Sequence, residues 1–110
     1  MQYALLIYGR QTAQEAAPPG GVAAVLSRPE VIAWARLHAD ESATTVRSGD
    51  VGMLMTDGPF IETKEFLAGL IVVEADGLDG ALAVAQELQE TRTGGAIEVR
   101  PVREGLFRGA

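Results

Sequence analysis

Apolar residues in this chain fall into runs whose period changes from segment to segment. Residues 3–8 are apolar on both parities, with Tyr3, Leu5 and Ile7 on one face and Ala4, Leu6 and Tyr8 on the other. Such a run suits a strand covered on both sides. Pro18-Pro19-Gly20-Gly21 then breaks the chain and bars a helix through that point. Residues 22–27 predict a short helix stopped before Pro29. Residues 31–37 read as a second strand, with a helix continuing through Val31, Trp34 and Ala35 as the rival. Residues 43–47 are rich in β-branched side chains, Ser48-Gly49-Asp50 supplies a turn, and residues 51–56 return, which predicts a β-hairpin. Residues 67–75 give the strongest strand, with Leu70, Ile71, Val72 and Val73 in one block. Asp76 then predicts a helix N-cap, with Asp79 three residues on. Leu78, Ala81, Leu82, Ala85 and Leu88 recur at helical spacing, while Gln86, Glu87 and Glu90 face away. Gly94-Gly95 ends that helix, and Ile97, Val99 and Val102 mark a last strand with Glu98 and Arg100 on its opposite face.

The order β-α-β, hairpin, β-α-β predicts an α+β sandwich in which two helices cover one face of an antiparallel sheet. The other face should then turn polar, yet residues 3–8 and 67–75 stay apolar on both parities. The cover this calls for is a second subunit packed face to face, a homodimer. The alternative is that the hairpin folds back over two central strands.

Size and charge narrow the picture by exclusion. The 110 residues carry nine Lys and Arg against fifteen Asp and Glu, a net charge of −6. One domain over residues 1–110 is the simplest reading. The acidic balance argues against nucleic acid or an anionic membrane as partner. Residues 1–8 are too short for a membrane span and lack the basic start of a signal peptide, so a cytoplasmic, bacterial-type protein is expected. With no cysteine and a single histidine, neither a disulfide framework nor a Cys- or His-built metal site is expected. No glycine-rich phosphate loop is present, and no cofactor is expected.

The segment Thr56-Asp57-Gly58-Pro59-Phe60-Ile61-Glu62-Thr63-Lys64-Glu65 resembles the signature of the YCII-related family, in the branch named for its Asp-Gly-Pro-Phe (DGPF) motif. Ala43-Thr44-Thr45-Val46-Arg47, Ala75-Asp76-Gly77-Leu78-Asp79 and Glu98-Val99-Arg100-Pro101-Val102 are similar to the branch's flanking segments, as are residues 1–8 to its opening. The resemblance implies a ferredoxin-like fold that dimerises into an α/β barrel. Family function is poorly defined. Some members are regarded as enzymes with a His–Asp pair near a pocket between sheet and helix, and one relative is a dechlorinating lyase acting on an aromatic substrate. The DGPF branch is often encoded beside sigma factors. Here the first helix is shortened and carries no histidine, so the dyad does not carry over. Ala33-Trp34 stands where Gly-Gly is common, and Ala68-Gly69-Leu70-Ile71 where Gly-Gly-Tyr-Tyr is usual. A Trp in place of Gly fills space and reshapes any pocket there.

Asp57, Glu62, Lys64 and Glu65 form the densest charged cluster on a loop. In a catalytic reading Asp57 or Glu62 is a general base and Lys64 steadies a developing anion. In a structural reading Asp57 caps its own turn and the others are paired or solvated. His38 is the natural proton shuttle by residue type, or a surface residue beside Asp40 and Glu41. Arg36 and Arg47 could bind a carboxylate, and Tyr8, Trp34 and Phe60 could line an apolar pocket or simply pack. Two functions stand side by side. One is a cofactor-independent lyase or isomerase doing acid–base chemistry on a small molecule. The other is a non-catalytic ligand-binding or regulatory module linked to a sigma factor.

Overall fold

The computed structural model describes residues 1–9, 20–61 and 64–108. Six strands and two α-helices follow one another as β1 (Gln2–Gly9), α1 (Gly20–Leu26), β2 (Val31–Arg36), β3 (Thr44–Gly49), β4 (Gly52–Asp57), β5 (Phe66–Glu74), α2 (Leu78–Glu90) and β6 (Ala96–Pro101). A single 3-10 turn at Asp40–Ser42 leads into β3.

Four strands make one antiparallel sheet in the order β2-β5-β1-β6, and β3 and β4 form a separate two-stranded ribbon. The α+β arrangement of a four-stranded antiparallel sheet, two helices and a hairpin is consistent with a ferredoxin-like fold. The centre belongs to β1 and β5, the two runs that are apolar on both parities.

Register sorts the side chains cleanly. Leu5 pairs with Ile71 and Tyr3 with Val73, placing all four on one face. These side chains are buried together with Val25 of α1 and Ala81, Val84, Ala85 and Leu88 of α2. The helices therefore cover this face alone. Helix α1 contributes little more than one turn of contact: Val25 is buried while Val22 and Leu26 pack partly against the core.

The opposite face is different. Its rows run Glu98, Leu6, Leu70, Ala35 and Arg100, Ala4, Val72, Ala33, with Ala96, Tyr8 and Leu67 in a third. Among the described residues no helix lies over it, and Leu6, Tyr8, Leu67 and Leu70 are half-buried, while Val72 alone of its large side chains is buried. The ribbon does not fold back to close it. All six residues of β4 are exposed, and the ribbon pairs with no strand of the larger sheet. Folding of the hairpin over the central strands is thereby overturned.

Several local expectations are corrected. Residues 31–36 are strand, which removes the helical rival. Helix α1 begins at Gly20, so Gly20-Gly21 lie inside a helix and not in a break before it. The ribbon turns at Asp50-Val51 with Gly49 opposite Gly52, one residue beyond the turn expected at Ser48-Gly49-Asp50. The N-cap of α2 is Gly77 in an extended conformation with no side-chain cap, because Asp76 sits one residue too early to reach the first-turn amides. The buried stripe of α2 uses Val84 and leaves Leu78 and Leu82 48% and 42% exposed. Val102 lies just past the end of β6.

Candidate functional site

The residues singled out from the sequence are spread over several surfaces. Tyr8 lies on the open face of the sheet, opposite Ala96 and Leu67. Trp34 pairs with Ile71, which puts it on the helix-covered face, where it remains 52% exposed at the edge of the sheet. Arg36, two residues on and opposite Gly69, shares the face of Trp34. Tyr8 and Trp34 therefore cannot line one pocket within a single chain. Arg47 stands 5.7 Å above the centre of the Phe60 ring, so these two do meet, in an exposed cation–π contact.

His38 is exposed in the segment after β2, and Asp57 is exposed at the end of β4, opposite Thr44. Lys64 and Glu65 are exposed at the approach to β5. Glu62 lies outside the described residues. The Asp-Gly-Pro turn is anchored by main-chain groups: Gly58 donates its N–H to the Ala43 carbonyl at 2.7 Å, and Thr45 Oγ1 donates to the Gly58 carbonyl at 2.7 Å. Gly58 has φ +101°, which a side-chain-bearing residue adopts only under strain. The motif thus pins the base of the ribbon.

An open groove of about 700 Å³ lies at the start of α2, lined by Glu30, Glu74, Asp76, Asp79, Leu78 and Val84 among others. None of the candidate residues that the structure describes lines it.

The surface with the strongest chemical character is the open sheet face. Its floor is aliphatic, from Leu6, Leu70, Val72 and Ala4, and its β6 edge carries the acid Glu98 and the base Arg100 two residues apart. The phenol of Tyr8 belongs to the adjoining row. An apolar floor with a few polar groups at its rim is the general composition of a small-molecule site. The alternation Ile97, Glu98, Val99, Arg100 already set the two charges opposite the core side, but nothing in it linked them to Tyr8.

One residue that holds this face in place was not apparent from the sequence. Arg92, just past α2, donates from Nη2 to the Tyr8 carbonyl at 2.9 Å and from Nη1 to Gln89 Oε1 at 3.1 Å. Gly95 makes room for that link. Its φ is +72°, and a β-carbon there would collide with the Tyr8 carbonyl and crowd the Arg92 guanidinium. The end of β1, and with it Tyr8, is thus tied to the loop before β6.

A family model of the YCII-related domain matches residues 1–105. The chain belongs to the YCII-related family. All eight strands and helices of the YCII domain described above fall within that span. The chain is also 39% identical over 69 residues to an uncharacterized protein of Rhizobium meliloti (strain 1021). That alignment covers 62% of this chain and 56% of the relative, so the chain matches a little over half of the relative's length. Among the described residues, no helix of the YCII domain is long and apolar enough to cross a membrane.

Proposed function

We propose that this YCII-related protein, of the DGPF branch, is a homodimeric binding module whose two open sheet faces meet and enclose a site for a small molecule. The observation that carries the reading is the open face itself: three largely apolar rows over which no helix among the described residues lies, with Val72 buried but Leu6, Tyr8, Leu67 and Leu70 only half-buried, edged by Glu98, Arg100 and Tyr8. A face this apolar is unfavourable in water and favours a second apolar surface. An isologous two-fold suits it, since the same apolar rows then meet their own copies. The ligand class that fits is an apolar, preferably aromatic, body bearing one anionic group, the body on Leu6 and Leu70 and the anion at Arg100.

Binding is favoured over acid–base catalysis by placement. His38, Asp57 and Lys64 are exposed and stand on separate segments, after β2, at the end of β4 and before β5, and none of them belongs to the rows of the open face. The test uses 8-anilinonaphthalene-1-sulfonate, an aromatic anion, as probe. Saturable binding is expected, with affinity falling at least about tenfold in Arg100→Glu, the loss of one charge-assisted contact. Non-saturable binding, or binding indifferent to Arg100→Glu, overturns the reading.

A further inference from the structure

The β3–β4 ribbon is the second surface that its own chain leaves unmet. A two-stranded hairpin standing alone is marginal in water, and among the described residues this one pairs with no strand of the larger sheet. Val46 pairs with Met55 and Ser48 with Met53, which gathers Val46, Met53 and Met55 on one face at 63%, 71% and 76% exposure. Leu54 lies on the other face, and Phe60 and Ile61 follow at the base. Methionines on an exposed strand are adaptable, polarisable contact groups rather than solubilising ones.

We propose that the ribbon is an arm that docks on a second copy of this chain, clasping the rim of the partner's open sheet face with Val46, Met53 and Met55. This inference rests on the dimer proposed above and adds a distinct contact to it. Area supports it. At roughly 60–120 Å² for a fully exposed side chain of this size, Val46, Met53 and Met55 together offer on the order of 130–250 Å². A stable interface takes about 800 Å² from each partner, so the arm supplies about a sixth to a third and the sheet face the remainder. Length agrees as well. Six-residue strands span about 20 Å, enough to cross a four-stranded sheet whose outer strands lie about 15 Å apart.

Methionine oxidation reads the arm directly, because the chain has three methionines and two of them are Met53 and Met55. The intact protein is treated with dilute hydrogen peroxide at several concentrations and the sites are quantified by mass spectrometry, with sedimentation run in parallel. Met53 and Met55 are expected to oxidise at least about fivefold more slowly in the dimer than in dilute monomer, while Met1 changes little. Met55→Lys, at a position exposed in the single chain, should fold normally and raise the dimer dissociation constant at least about tenfold. A dimer in which Met53 and Met55 oxidise at the monomer rate overturns the arm and leaves the dimer standing. A chain that stays monomeric throughout overturns both.

Discussion

Arg92 shows how a single side chain on the surface of the fold can set the position of another on the proposed ligand face. Its two hydrogen bonds join the end of α2 to the Tyr8 carbonyl, and half-burial keeps them from being exchanged freely with water. Arg92→Ala should lower stability by about 1–2 kcal/mol, read as a fall of about 4–10 °C in melting temperature. Arg92→Lys should recover only part of that, since one ammonium cannot reproduce a planar fork reaching two acceptors. Gly95→Ala should be more damaging than either: it forces a left-handed backbone on alanine and drives its β-carbon at the Tyr8 carbonyl. A thermal melt of the three variants checks the order.

At the scale of elements, α2 offers the sharpest test of packing. Ala81, Val84, Ala85 and Leu88 form its buried stripe, and Leu82 points outward. Leu82→Glu should change stability by no more than about 0.5 kcal/mol, whereas Val84→Glu should cost more than about 3 kcal/mol by burying an unpaired carboxylate. Denaturant unfolding distinguishes them. The helical period was readable from the sequence, as were β1 and β5 from their long apolar runs and the ribbon from the β-branched residues 43–47 and the turn after them. Strand β2, by contrast, was read with a helical rival that the structure removes. The choice between Leu82 and Val84 was not readable, since the two stripes differ by a small rotation and it is packing on Leu5, Ile71, Val73 and Val25 that buries Val84. Turn and cap positions slipped for a similar reason: Asp50-Val51 closes the ribbon with Gly52 at φ +130°, a geometry that composition alone does not place. The candidate site was less legible still. Tyr8 and Trp34 look like one aromatic pair in sequence, yet strand register puts them on opposite faces of the sheet.

The whole molecule is more extended than its length requires. Its radius of gyration is 15.6 Å, against about 13 Å for a compact domain of this size, and its longest dimension is 46 Å. Two apolar surfaces, the open sheet face and the ribbon, are packed against no other strand or helix among the described residues. The account joins them: a second copy covers the first surface and receives the second, and the space between the sheets holds the ligand. Its central claim is that the open face is the interface, and sedimentation equilibrium of the wild-type chain beside Leu70→Arg tests it most directly. Leu70 lies in the middle of that face and contributes nothing to the helix-side core. The account predicts a wild-type mass of twice the 11.6 kDa chain and a folded, monomeric Leu70→Arg. A wild-type protein that sediments at 11.6 kDa at about 100 μM, or a Leu70→Arg variant that dimerises as tightly as wild type, contradicts it.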